Sequence, residues 1–381
     1  MKKTLILFIL MICFFNINAK AETFEFDLDE ETNLYAQMYE DYKADELVEN
    51  SPEEVKDFFG NFNITPDNPF SFSELFTKDG LEYLKEYILN SVTSPLKNAG
   101  IILVSIIICA FCNSLCDNNL QVNHAMDTIC ILSVISAVIL PISSVITESV
   151  NTVSTVTVFM GVFIPIFAGI LIASLKTQTA AVYSSVMFFV CEAISYCCKN
   201  IVLPFANCFT ALSVASGISG SSRIGGVTRI FKKAAYIVIT TAMAVFLTVL
   251  SIQSVVGSTA DTATTKTAKF FISSFVPIIG PSISESLGSL KGCIGLLKSS
   301  VGIYAVIAVL IMLIPVIIKI IILKLTLTFS ADVSEMFSVN AIKFVLESLN
   351  QALSIVLAVV LCSGVMFVFS ITIIAVAGGS V

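Results

Sequence analysis

The sequence contains no tryptophan, only one histidine (His124), and few charged residues, which make up 13% of its 381 positions. A single histidine leaves little material for acid–base catalysis. The chain also lacks a phosphate-binding glycine–lysine loop, a His-Glu-x-x-His pair and a nucleophile elbow. We therefore expect no enzymatic activity and no cofactor, and an intramembrane enzyme is the least favoured of the functions considered.

Hydrophobic residues account for 56% of the chain, and the mean hydropathy is +0.92. This composition lies outside the range of ordinary soluble domains. It predicts an all-α polytopic membrane protein, because in hydrocarbon a helix satisfies all of its own backbone hydrogen bonds.

The first 21 residues have the pattern of a signal peptide. Two lysines are followed by an apolar run and then by Ala19-Lys20-Ala21, a small-x-small cleavage pattern. The alternative is an uncleaved anchor helix, although the apolar run is short for a membrane span. Both interpretations predict that the following segment is exported.

Residues 22–96 form the predicted exported acidic helical region. Between Glu22 and Asn90 there are 19 acidic residues against 4 lysines and no cysteine. The absence of cysteine excludes a disulfide framework there. The negative charge argues against binding of nucleic acid or anionic lipid by this region.

Within this region Leu81, Leu84, Ile88 and Val92 follow the spacing of an amphipathic helix. Two interpretations remain open. The helix leans on a partner or the membrane surface, or it packs inside a small helical domain.

Cys109, Cys112 and Cys116 are spaced to share one helical face, and they could be interpreted as ligands of a soft metal ion. Cysteine is also a common small apolar residue in buried helices. We therefore predict no metal site.

Residues 97–381 form the predicted polytopic membrane domain, with about seven transmembrane helices and two or three broken or re-entrant segments. A span needs about 20 apolar residues. The seven predicted spans are 99–116, 128–147, 155–175, 179–197, 234–256, 301–323 and 353–377. The predicted broken segments are 201–220, 270–290 and 325–340.

Arg223, Arg229, Lys232 and Lys233 lie in one loop that has no acidic residue. Short cytoplasmic loops collect such residues, so this loop is the predicted cytoplasmic marker.

Two apolar stretches share a pattern of Phe, an aliphatic residue, Pro and Ile, at 163–166 and 275–278. Each follows a Ser/Thr-rich stretch that is predicted to be a loop. This similarity suggests a weak internal duplication, about 122–233 and 234–350.

Pro165, Pro277, Gly280 and Pro281 are the candidate helix breaks of these two units. Proline frees backbone carbonyls, which then need protein neighbours or a watery cavity. The breaks therefore predict a pore or binding site, and the alternative is a kinked structural helix.

Glu192, Glu285 and Lys319 are the candidate intramembrane polar residues. A charge at the centre of a membrane costs about 2.5–3.5 kcal/mol, so we expect Glu192 to face protein or water. It could act in a relay, or its protonated carboxyl could form an interhelical hydrogen bond.

The stretch from Gly226 to Gly302 includes "TAKFFISSFVPIIGPSISESL" after a Ser/Thr-rich stretch. Here the chain resembles the stage III sporulation protein AE family. The order of signal peptide, exported segment and polytopic remainder also agrees with that family. The family has no established catalytic or ligand-binding residues to carry over.

The resemblance implies a multi-pass subunit, a platform or permease-like component, of the channel complex between mother cell and forespore. It would lie in the mother-cell (outer forespore) membrane, with its N-terminal region in the intermembrane space. The implied partners are the other proteins of the same operon and the forespore stage II sporulation protein Q. Runs of small residues are compatible with oligomers. The alternative is an independent secondary transporter for a small solute.

Overall fold

A computed structural model describes residues 28–62, 64–68, 71–115, 120–219, 280–337 and 339–377, and single positions between 233 and 252. Within these residues the regular secondary structure is helical, and no strand occurs. The all-α prediction is therefore confirmed.

Three short helices come first, followed by long ones. In chain order they are α1 (Leu28–Asp41), α2 (Ala44–Glu49), α3 (Glu53–Gly60), α4 (Lys78–Leu115), α5 (Leu120–Ala173), α6 (Thr177–Cys197), α7 (Leu203–Ser219), α8 (Gly280–Met336) and α9 (Asn340–Ala377). A 3₁₀ turn covers Ser71–Phe76, and a π-helical turn, Cys198–Val202, joins α6 to α7.

Five helical segments of the described chain are long and apolar enough to cross a membrane. They are Glu82–Cys112, Thr128–Ala173, Thr177–Leu212, Gly292–Met336 and Ile342–Thr372. The multi-pass prediction is thus supported, and several of these segments are longer than the predicted spans. Only some positions of the predicted span 234–256 are described, and residues 270–279 of the predicted broken segment 270–290 lie outside the described residues.

The largest difference from prediction is α5. The predicted spans 128–147 and 155–175 were separated by a loop, whereas one helix of 54 residues runs through both. The serine and threonine hydroxyls of the predicted loop donate to carbonyls four residues earlier, as in Ser149 to Val145 (2.6 Å) and Thr157 to Val153 (2.8 Å). Hydroxyls bonded in this way are compatible with a helix.

Three further predicted boundaries fall at points where a helix continues. The predicted span 179–197 passes through the π-helical turn into the predicted segment 201–220. Most of the predicted segment 325–340 belongs to α8, which ends at Met336. The predicted domain boundary at residue 96 falls inside α4.

The centre of the bundle is the pair α8 and α9. α9 is the most enclosed of the five apolar segments, and the α6–α7 segment is the most exposed. The two central helices approach closely at Gly364, where an added Cβ would lie 2.7 Å from a methyl carbon of Leu313. A glycine at this point lets the helix backbones come together.

The N-terminal helices pack against the first half of α8. The ring of Tyr304 stacks on Phe59 with centroids 4.5 Å apart, and its hydroxyl is 2.9 Å from the Ser51 hydroxyl. Ser300 donates a hydrogen bond of 2.8 Å to the carbonyl of Pro66. The acidic region therefore docks on the helical bundle through apolar and hydrogen-bonded contacts.

The same Pro66 carbonyl accepts a hydrogen bond from the hydroxyl of Tyr35. Burial raises the pKa of Tyr35 to about 12 and also raises the pKa of Tyr39, near Asp67 and Asp45. Both hydroxyls therefore stay protonated at neutral pH, so Tyr35 can act as a donor.

Candidate functional site

A polar cleft of about 1240 Å³ lies between α4, α5 and α8, with the start of α3 at its edge. α4 contributes Tyr87, Asn90 and two serines, whereas α8 contributes Pro315 and Lys319. Such an accumulation of hydroxyl, amide and charged groups is unusual between apolar helices, since each buried polar group needs a partner or water. We treat this cleft as the candidate functional site.

One face of α5 supplies most of the polar lining. Its residues recur at helical spacing: Ser143, Ser144, Thr147, Glu148, Asn151, Thr152 and Thr155. The opposite face of the same segment is apolar, with Val150, Val153 and Val156 buried at steps of three. α5 thus turns its valines to the core and its hydroxyls to the cleft.

An ion pair crosses the cleft from α5 to α8. The ammonium nitrogen of Lys319 lies 2.5 Å from Oε1 of Glu148, and the two side chains are 26% and 36% exposed. Lys319 was predicted as an intramembrane polar residue, but Glu148 was assigned to a loop. The two residues of the pair are 171 positions apart in the sequence. The spacing of Val150, Val153 and Val156 was the one sequence signal that Glu148 belongs to a helix.

Pro315 lies on the α8 wall of the cleft. It has no N–H, so the carbonyl of Ile311, four residues earlier, loses its usual helical donor. The hydroxyl of Tyr87 on α4 donates to this carbonyl at 3.2 Å. The freed carbonyl therefore finds a protein partner next to the cleft, at a proline that sequence analysis did not select.

A second polar cluster links α8 to α9 and was also missed. The buried ammonium of Lys324 donates to the side-chain oxygen of Asn350 at 2.9 Å and to the Ser354 hydroxyl. The Asn350 amide in turn donates to Thr328 at 2.7 Å. These neutral acceptors solvate a charge inside the bundle, so we interpret the cluster as structural.

Of the predicted helix breaks, Pro165 is fully described and does not line the cleft. α5 continues through Pro165, and this proline is exposed. Gly280 and Pro281 are the first two residues of α8, where a missing N–H has no cost to the helix. Pro277 lies outside the described residues, as do the other positions of its segment before 280.

Glu192 does not line the cleft and is exposed on α6. The expectation that it faces protein or water stays a prediction. Glu285 lies in the first turns of α8, and its side chain is outside the described residues. Of the two candidates whose side chains are described, Lys319 lines the cleft.

The cytoplasmic marker loop falls almost entirely outside the described residues. Arg223, Arg229 and Lys232 are not described, whereas Lys233 is an exposed helical position. The orientation of the chain in the membrane therefore stays a prediction.

The cleft is suited to hydrophilic ligands. Three carboxylates (Glu53, Glu54 and Glu148) and one ammonium (Lys319) line it together with neutral hydroxyl and amide groups. The formal charge of the lining is negative. Groups of this kind can replace the hydration shell of a polar solute.

The chain matches the family model of stage III sporulation protein AE over residues 67–378. This range includes α4, α5 and α8, the three long helices of the cleft. Among curated proteins, the chain is similar to the stage III sporulation protein AE of Bacillus subtilis (strain 168). The two are 24% identical over 331 residues, which cover 86% of this chain and 81% of that protein. No solved structure matches the chain.

Proposed function

The chain belongs to the stage III sporulation protein AE family, and from this premise we propose that it is an integral membrane subunit of the mother cell to forespore channel complex required for endospore formation. Within that complex it serves as a platform or permease-like component. The observation that carries this proposal is the family match over most of the chain. Five apolar helices long enough to cross a membrane support the membrane placement.

The polar cleft favours a permease-like role over a purely structural one. A scaffold has no need of an ion pair and a hydroxyl-lined face at a cleft between apolar helices. A conduit needs both a hydrophilic surface and helices that shield it from lipid. Glu148 and Lys319, 2.5 Å apart, mark that surface.

The proposed location is the mother-cell (outer forespore) membrane, with the N-terminal region in the intermembrane space. The proposed partners there are the other proteins of the same operon and the forespore stage II sporulation protein Q. Phe59 and Ser51 both contact Tyr304 on α8. These contacts support a surface toward the intermembrane space that is formed jointly by α1 to α3 and the helical bundle, rather than a separate domain on a tether.

A deletion strain tests the proposal. We expect loss of the gene to block late forespore development and to leave engulfment intact, with heat-resistant spores restored by the wild-type gene. Microscopy with a membrane dye scores engulfment, and heat-resistant colony counts score spores. A deletion strain that forms normal numbers of spores would show the proposal to be wrong.

An independent secondary transporter is the second candidate, since a cleft of about 1240 Å³ with charged groups also fits a solute site. The two functions differ in their need for partners. The transporter alternative predicts solute uptake by the purified protein alone in vesicles. The channel proposal predicts uptake or passage only with the other subunits of the complex.

A further inference from the structure

The balance of charge in the cleft points to the class of its ligand. Glu53 and Glu54 stand at the edge from the first turn of α3, and Glu148 stands on the α5 wall. Lys319 is the single basic residue among the lining groups. A concave surface lined mainly by one sign of charge concentrates ions of the opposite sign.

We propose that the cleft binds a small hydrophilic organic cation whose ammonium group is held by Glu148. This proposal deepens the permease-like role proposed above and rests on it. The ammonium of Lys319, 2.5 Å from the Glu148 carboxylate, occupies the place that the ligand's ammonium would take. A ligand ammonium therefore binds by exchanging with Lys319.

The exposure of the ion pair makes this exchange feasible. The Glu148 side chain is 36% exposed and that of Lys319 is 26% exposed, so solvent in the cleft reaches both. The side chain of lysine has a flexible four-carbon stem and can swing away without moving the helix. The released ammonium stays inside a hydroxyl-lined cleft and can be hydrated there.

The neutral lining is suited to the rest of such a ligand. Asn90 and Ser91 on α4 and Asn151 and Thr155 on α5 line the same cleft. Their hydroxyl and amide oxygens can accept hydrogen bonds from a second ammonium group, as water does in bulk. A dication would also be attracted by Glu53 and Glu54 at the edge.

An anionic ligand is disfavoured by the same geometry. Its only cationic contact would be Lys319, which is already paired, and it would approach three carboxylates. Like charges brought together in a partly desolvated site cost free energy of binding. The two ligand classes therefore give opposite results when the members of the ion pair are neutralised one at a time.

The test uses the full-length protein in lipid nanodiscs, with putrescine as the probe and isothermal titration calorimetry as the readout. We expect saturable putrescine binding that weakens by about tenfold or more in Glu148→Gln, because the variant loses a charge-assisted hydrogen bond. Lys319→Gln removes the competing ammonium, so we expect tighter putrescine binding. A purely structural ion pair would predict weaker binding, or none, in both variants.

Glu335→Gln is the matched control. Its carboxylate forms an ion pair of 2.6 Å with Lys343 and is not part of the cleft. We expect its putrescine affinity to equal that of the wild type. Glutarate, a dianion of similar length, serves as the charge-reversed probe and is expected not to bind.

Several outcomes would overturn the inference. They are no saturable putrescine binding to the wild-type protein, equal binding in Glu148→Gln, weaker binding in Lys319→Gln, or preferential glutarate binding. The sporulation assay separates this failure from that of the proposed function. If deletion blocks sporulation while Glu148→Gln forms spores normally, the channel role stands and the cation site is rejected.

Discussion

Tyr87 illustrates how a single side chain supports the polar cleft. Pro315 removes the donor for the Ile311 carbonyl, and the Tyr87 hydroxyl replaces that donor from the neighbouring helix. This hydrogen bond joins α4 to α8 at the wall of the cleft. Its loss would leave a polar group without a partner among apolar helices.

We predict that Tyr87→Phe lowers the free energy of unfolding by about 1–3 kcal/mol, the cost of an unpaired buried acceptor. Thermal unfolding of the protein in detergent micelles would measure the change. Tyr83→Phe is the control on the same helix, because the Tyr83 hydroxyl accepts from Asn61 at an exposed position. Equal stability of Tyr87→Phe and the wild type would contradict the role assigned to the hydroxyl.

Residue-level sequence analysis was partly successful at the cleft. A lysine within an apolar run is conspicuous, so Lys319 could be selected from composition alone. Its partner could not, because Glu148 lies in a Ser/Thr-rich stretch that is typical of loops. The proline argument was physically sound, but it was applied to Pro165 and Pro277, whereas Pro315 is the proline within a long helix that lines the cleft.

At the level of elements, the continuity of α5 determines the topology. A loop near residue 150 would fold residues 128–175 into a hairpin, whereas the continuous helix carries the chain from one end of the bundle to the other. The direction of every later segment in the membrane depends on this difference.

Spin labels would test the continuity of α5. At 1.5 Å per residue, labels replacing the exposed Ile129 and Ile172 should lie about 65 Å apart, and both positions are more than half exposed. Labels at Leu140 and Val158, also exposed, should lie about 27 Å apart. Pulsed dipolar spectroscopy, in a background with the native cysteines replaced, would measure both pairs.

A hairpin would give a distinct result. Positions 140 and 158 would then face each other on adjacent helices at roughly the 8–10 Å of interhelical packing. A short distance for this pair would show that α5 is interrupted. The pair 129 and 172 would shorten at the same time.

Helical content was predictable from hydropathy, but helix ends were not. Apolar runs of about 20 residues identify spans, and a polar stretch between two of them is normally a loop. In α5 the polar residues lie on one face of the helix, and the opposite face is buried through Val150, Val153 and Val156. Hydropathy averaged over a window of residues does not detect this periodicity. For this reason α5, the α6–α7 segment and α8 were each predicted as two or more separate segments.

On the scale of the whole molecule, the N-terminal helices are part of the bundle. The stacking of Phe59 on Tyr304 joins residues that are far apart in the sequence. A long-range contact of this kind has no signal in one sequence, because both residues are simply apolar and aromatic. The acidic region was therefore predicted with the correct helical character but without its docking surface.

We predict that Phe59→Ala releases the N-terminal helices from α8. Phe59 is 3% exposed, and truncation of a buried phenylalanine typically costs about 3–5 kcal/mol. Limited proteolysis should then cleave residues 28–76 faster, while the apolar helices stay protected. Asp57→Ala, an exposed position on the same short helix, is the control, and unchanged cleavage of Phe59→Ala would contradict the docking.

The length of α5 has a further consequence for how the protein exists in a cell. A 54-residue helix is about 81 Å long. Even at a tilt of about 40° it would extend about 62 Å along the membrane normal, which is about twice the thickness of the hydrocarbon core. Exposed apolar side chains nevertheless occur along most of the helix, at Ile129, Leu140, Val158 and Ile172. A single copy would therefore leave part of this apolar surface outside the hydrocarbon, where the subunit role proposed above would cover it with partner proteins.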